Sequence, residues 1–99
     1  RFADLPKFPS VSRDIALVVE KSVSAGDIVK TAKNSGAKIL VGAEVFDVYE
    51  GEHIETGKKS VALSLTYQTD HTLKEEEITA AHQRILDNLS KRLNAELRG

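Results

Sequence analysis

Ser60-Val61-Ala62-Leu63-Ser64-Leu65-Thr66-Tyr67-Gln68 carries the cleanest pattern in the chain, because Val61, Leu63, Leu65 and Tyr67 alternate with small or polar residues throughout. Period-two alternation is the mark of a strand with one packed and one open face. Tyr67 falls on the packed side. The open side presents Ser60, Ala62, Ser64 and Thr66, which are small and rich in hydroxyls.

Immediately upstream, a loop bounded by Gly51 and Gly57 leads into Lys58-Lys59, and before it stands Glu44-Val45-Phe46-Asp47-Val48-Tyr49. The two runs predict a hairpin. The earlier strand lies within residues 38 to 50 and is interrupted at Gly42, where a bulge or bend is expected that would swap faces locally. Strict alternation sets Val45, Asp47 and Tyr49 opposite to Glu44, Phe46 and Val48. One face then holds a carboxylate beside an aromatic ring. A carboxylate accepts hydrogen bonds from base amino and imino groups, and a ring stacks on any base for roughly 1–3 kcal/mol. On the residues alone, a base-reading pair and an ordinary exposed pair on an edge strand both fit.

Downstream, Thr72-Leu73-Lys74-Glu75 reads as a capping box, and Glu75, Glu76 and Glu77 suit the positive end of a helix dipole. Ile78, Ala81, His82, Ile85, Leu89 and Leu93 keep helical spacing after it. Ala95-Glu96-Leu97-Arg98 predicts a short closing strand. In the first part of the chain, Pro6 and Pro9 mark residues 1–10 as an extended lead-in, and residues 11–99 form the domain. Ile15, Leu17 and Val19 share one face of a first strand, with Asp14, Ala16 and Val18 on the other. Ser24 with Asp27 predicts a helix start, Ile28, Ala32 and Val29 its inward face, and Gly36 a left-handed C-cap. The order β-α-β-β-α-β makes an α+β, ferredoxin-like fold: an antiparallel four-stranded sheet with two helices on one face. The other face is free for a ligand.

With 99 residues the chain has material for one core. Its 14 basic and 15 acidic side chains leave a formal charge of −1, so no global field draws it to nucleic acid or an anionic membrane. Any RNA contact is local. The absence of cysteine excludes disulfides, thiolate metal sites and thiol nucleophiles. No apolar run approaches the ~20 residues that span a bilayer, and the start lacks a signal-peptide core. A first residue other than methionine, followed by a Pro-punctuated stretch, suggests a piece cut from a longer protein.

No catalytic constellation emerges. Glu75, Glu76 and Glu77 point about 100° apart on a helix and do not converge on a cation. His53, His71 and His82 share no ligand spacing. Gly57-Lys58-Lys59-Ser60 lacks the earlier glycine of a phosphate loop and opens a strand instead of a helix.

The blocks Phe8-Pro9-Ser10-Val11-Ser12-Arg13-Asp14-Ile15-Ala16-Leu17-Val18-Val19, Phe46-Asp47-Val48-Tyr49-Glu50-Gly51, Gly57-Lys58-Lys59-Ser60-Val61-Ala62 and Thr72-Leu73 before Glu76-Glu77 together carry a resemblance. From about Leu5 to Gly99 the chain resembles the ferredoxin-fold anticodon-binding domain that closes the β subunit of bacterial phenylalanyl-tRNA synthetases. The ending Leu97-Arg98-Gly99 is similar to the end of such a subunit. The resemblance implies a non-catalytic, cytoplasmic module that grips the anticodon stem-loop of phenylalanine tRNA, without DNA or membrane as a partner. Aminoacylation would belong to the α subunit of an (αβ)2 enzyme using ATP and magnesium, with no cofactor in this domain. It implies that Asp47 contacts the first anticodon base, that Tyr49 stacks on it, and that Ser60 hydrogen-bonds beside them. Arg13 matches a basic position that suits a phosphate contact or a structural ion pair, with Asp14 as a local candidate; Lys58 and Lys59 complete the RNA-binding set. Where some relatives carry an aromatic before the final Leu-Arg, this chain has Ala95, so no stacking contact carries over there.

Other proteins share the topology. An ACT-like regulatory or protein-interaction module would need a Gly-rich ligand loop, an acylphosphatase-like enzyme a phosphate-cradling loop with paired Arg and Asn, and an RNA-recognition motif aromatics on its third strand. The chain shows none of these at the matching positions.

Overall fold

The computed structural model describes residues 8–35 and 37–98. The elements are β1 (Val11–Glu20), α1 (Ala25–Lys33), β2 (Leu40–Tyr49), β3 (Lys58–Tyr67), α2 (Glu75–Leu93) and β4 (Glu96–Leu97). The sheet runs β2-β3-β1-β4 with every neighbour antiparallel. This is the ferredoxin-like arrangement expected from the order of elements.

Alternation in the two central strands builds the core. Leu17 and Val19 of β1, with Val61, Leu63, Leu65 and Tyr67 of β3, are buried beneath Ile28 and Ala32 of α1 and Ile78, Ala81, Ile85 and Leu89 of α2. Removal of that apolar surface from water is the main favourable term holding the two layers together. Ala95 is buried in the same core.

The helix ends are set by local polar chemistry. Ser24 Oγ accepts from the Asp27 backbone N–H at 3.0 Å, as the sequence predicts. Asn34 closes α1, donating its N–H to the Lys30 carbonyl at 3.0 Å; the expected cap Gly36 lies outside the described residues. At α2 the box is displaced from Thr72 to Lys74. Glu77 Oε1 accepts from the Lys74 N–H at 3.0 Å, while Glu77 Oε2 lies 2.8 Å from His71 Nε2, whose Nδ1 is 3.1 Å from Asp70. That clamp makes Glu77 the third helical residue, and it frees Glu75 to pair with Arg13. The C-cap Asn94 is left-handed, with φ 56°.

A part-buried polar contact, besides the exposed Arg13–Glu75 pair, joins the layers. The Tyr67 hydroxyl lies 3.1 Å from His82 Nδ1. Burial pushes the Tyr67 hydroxyl up to about 12 from 10.0, against the opposing pull of Arg13. Burial, then the Arg13 charge, pushes His82 down. Tyr67 ionises more readily in the unfolded chain, so its contribution to stability is lost as pH rises from 10 towards 12. His82 has the opposite dependence, its contribution being lost as pH falls below 6.5. A melting-temperature series across pH should show the alkaline loss shrink in Tyr67→Phe; an identical alkaline limb in the variant would assign it to other groups.

The faces of β2 differ from strict alternation. Its register on β3 shifts between Leu40 and Gly42, close to the expected irregularity at Gly42, and again between Val45 and Asp47. Val45 opposes Leu63 on the helix side, yet Asp47 opposes Ala62 on the open side, with Phe46 as the inserted residue. A bulge sets two residues against one, so alternation skips a beat there. Asp47 and Tyr49 consequently share the open face without Val45. Glu44, opposing Ser64, joins them, whereas Val48, opposing Val61, turns to the helix side.

Candidate nucleic-acid interface

The open face is organised by rows of opposed residues. Tyr49 opposes Ser60, which opposes Val18, which opposes Glu96; one row along, Asp47 opposes Ala62, which opposes Ala16. The Tyr49 ring is 42% exposed, and its hydroxyl donates to the Glu52 carbonyl at 3.2 Å. Gly51, at φ 137°, lets that loop turn tightly: a Cβ there would come 3.2 Å from the Tyr49 hydroxyl. The hydrogen bond anchors the ring at its tip.

Arg98 completes the cluster. Its backbone N–H donates to the Ala16 carbonyl at 2.7 Å, continuing β4 and aiming the side chain across the sheet. The guanidinium donates through Nη1 to Ser60 Oγ at 3.2 Å and lies 5.9 Å from the Tyr49 ring centroid, within reach of a cation–π contact. Ser60 is only 5% exposed as a result. Its hydroxyl accepts from Arg98 and keeps its proton for another acceptor. In the sequence Arg98 stands only at the end of the predicted closing strand and in the terminal Leu97-Arg98-Gly99, with no sign of a site role, because the pairing of so short a strand with β1 is not legible in its residues.

The other expected RNA contacts divide between the faces. Lys58 opposes Glu20 on the open side and pairs with Glu55 at 3.7 Å. Lys59 opposes Val19 and therefore lies on the helix side. Arg13 opposes Leu65, also on the helix side, and pairs with Glu75 at 3.1 Å. Asp14 is not its partner, since consecutive strand residues point to opposite faces. Ala95 points into the core, away from the open face.

The charge of this face is acidic. Asp14, Glu20, Glu44, Asp47 and Glu96 take open-face positions, against the cations Lys58 and Arg98. Carboxylates repel phosphate but accept from base amino and imino groups, so the face suits exposed bases better than a sugar–phosphate backbone. Among the described residues no group of side chains is arranged to hold a metal ion, and no helix is long and apolar enough to cross a membrane.

Residues 6–98 match the ferredoxin-fold anticodon binding domain family. The chain is 52% identical over 99 residues to the phenylalanine–tRNA ligase beta subunit of Bacillus subtilis (strain 168), and 52% identical over 99 residues to that of Bacillus licheniformis. The beta subunit of Halalkalibacterium halodurans is 48% identical over the same length. Each alignment takes in 99% of this chain but 12% of the relative. The fold, the family match along nearly the whole domain and these identities agree: the chain belongs to the ferredoxin-fold anticodon binding domain family.

Proposed function

We propose that this domain binds the anticodon stem-loop of phenylalanine tRNA as a non-catalytic module of a phenylalanine–tRNA ligase β subunit. The observation that carries the reading is the shared placement of Asp47, Tyr49 and Ser60 on the open face, gathered by Arg98, in a domain of an anticodon-binding family. Tyr49 offers its ring to the first anticodon base, and Asp47 accepts from that base's amino or imino edge. Ser60 donates its remaining proton, and Arg98 and Lys58 face the adjoining phosphates. Arg13 and Lys59, on the covered side, receive no base contact in this arrangement. The parent enzyme would be a cytoplasmic (αβ)2 assembly whose α subunit uses ATP and magnesium. Its remaining domains supply further grip by raising the effective concentration of the tRNA at this face.

Titration of the isotope-labelled chain with the phenylalanine anticodon stem-loop tests this. Amide shifts should concentrate at Asp47, Tyr49, Ser60, Ala62 and Arg98. Shifts confined to α1 and α2, or none even at low salt, would reject the reading.

Salt dependence gives a second check. Single-stranded RNA binding weakens with a log–log slope of about −0.7 per neutralised phosphate. With Arg98 and Lys58 as the open-face cations, the slope should be about −1.4. A much steeper slope would mean that the backbone is gripped elsewhere on the domain.

A further inference from the structure

Residues 68–74 join β3 to α2, and polar contacts hold this loop at both ends. At its start the Gln68 N–H donates to the Ile39 carbonyl at 2.9 Å, and the Gln68 side chain donates to the Phe8 carbonyl at 2.6 Å. Towards α2 the hold is His71. Its Nε2 lies 2.8 Å from Glu77 Oε2 and its Nδ1 3.1 Å from Asp70 Oδ1, so a carboxylate faces each ring nitrogen. Ionised carboxylates only accept hydrogen bonds, and a neutral imidazole has one N–H to give. Only the imidazolium satisfies both contacts. Hydrogen bonds to Glu77, then Asp70, raise His71 above its ordinary 6.5, and His71 in turn holds both carboxyls below their usual range. Asp70 and Glu77 are the charges that face the ring; Lys74 acts on Glu77, and Arg13 of β1 is taken up by Glu75. Glu76 turns about 100° away from Glu77 on the helix.

We propose that His71 is a proton-operated latch: charged, it locks the bend of the β3–α2 loop against the first turn of α2, and on losing its proton it releases Asp70 and loosens that bend. The order of release follows from exposure. The Asp70 side chain is 95% exposed and that of Glu77 32%, and the Glu77 contact is the shorter, so the remaining N–H stays on Nε2. Glu77 keeps its place as acceptor of the Lys74 N–H at 3.0 Å, and α2 starts where it did. What loosens is the turn before it, where Thr69 Oγ1 also donates to Asp70 Oδ1 at 3.4 Å. His71 holds its proton more tightly in the folded chain, so its contribution to stability is complete below 6.5 and is lost as pH rises through its raised folded value. The carboxyls set the acid limit, because their contribution is present above 4.5 and is lost as pH falls through their lowered folded values. The latch is thus closed between 4.5 and 6.5 and opens on the alkaline side. His82, whose contribution is lost below 6.5, has the reverse dependence.

Magnetic resonance of the histidine rings and backbone amides, recorded on the chain across pH, tests the latch. His71 should titrate with a midpoint above 6.5, with both ring nitrogens protonated below that midpoint, and the Asp70 amide should shift in step with it. Asp70→Asn should bring the midpoint down towards 6.5 and leave α2 formed, since the cap made by Glu77 is untouched. His71→Arg puts a permanent charge between the two acids. The Asp70 amide should then stay still as pH rises, and the melting temperature of the parent should fall relative to that of His71→Arg above pH 6.5. Both substitutions lie at the surface, so neither removes core packing. A His71 midpoint at or below 6.5, or one that Asp70→Asn leaves in place, would overturn the latch. So would an Asp70 amide that keeps its position throughout the His71 titration.

Discussion

Leu63→Ala should destabilise the domain by about 3 kcal/mol, lowering its melting temperature by roughly 12–24 °C. Leu63 is fully buried on β3, where it opposes Ile15 on one side and Val45 on the other. The helices close the layer above it, so the surrounding backbone can collapse little into the space left behind. The loss then includes both the transfer free energy of the missing atoms and the cavity that replaces them. Val48→Ala is the matched control. Val48 points to the same side of the sheet but is 49% exposed, so its truncation should cost under about 0.5 kcal/mol. Thermal unfolding of the two variants compares them directly. A fall below about 4 °C for Leu63→Ala would mean that the two layers relax into the cavity.

The same strand shows why so much of the fold is legible in the residues. Val61, Leu63, Leu65 and Tyr67 are buried without exception, because β3 is central and each inward position meets a neighbour on both sides. The stripe from Ile78 to Leu89 is equally plain, since the 3.6-residue repeat persists over several turns. What escapes is whatever depends on pairing partners. The bulge at Phe46 leaves only a faint mark in the residues, the adjacent apolar pair Val45-Phe46 between Glu44 and Asp47, which does not say which residue is inserted. The insertion becomes visible only when Asp47 and Val45 are registered on β3. The displaced cap of α2 has a similar cause. Thr72 and Glu75 satisfy the spacing of a capping box, but the clamp of Glu77 by His71 and Lys74 decides where the helix begins.

The candidate site divides along the same line. Asp47, Tyr49 and Ser60 could be placed together from alternation because Ser60 belongs to the regular strand and the bulge precedes Asp47. Arg98 acquires its position from a tertiary backbone contact with Ala16, which has no local sequence signature. Arg13 suits a phosphate contact or an ion pair on sequence alone, and the acid it pairs with, Glu75, lies far along the chain.

Tyr49→Ala should weaken binding of the anticodon stem-loop by roughly 5- to 150-fold, the equivalent of about 1–3 kcal/mol of base–aromatic stacking. The ring stands half free over Ser60, so truncation leaves the core intact and the melting temperature within a few degrees of the parent. Tyr49→Phe separates the ring from its hydroxyl. It removes the hydrogen bond to the Glu52 carbonyl but keeps the stacking surface and the Arg98 contact, and should lose far less affinity than the alanine variant. In a phenylalanine–tRNA ligase carrying this domain, the contact would lie outside the catalytic centre and act equally on the bound ground and transition states. The KM for tRNA should then rise while kcat holds. An alanine variant with unchanged stem-loop affinity and unchanged KM would remove Tyr49 from the site, whereas equal losses in the alanine and phenylalanine variants would assign the effect to the anchored loop instead of the ring.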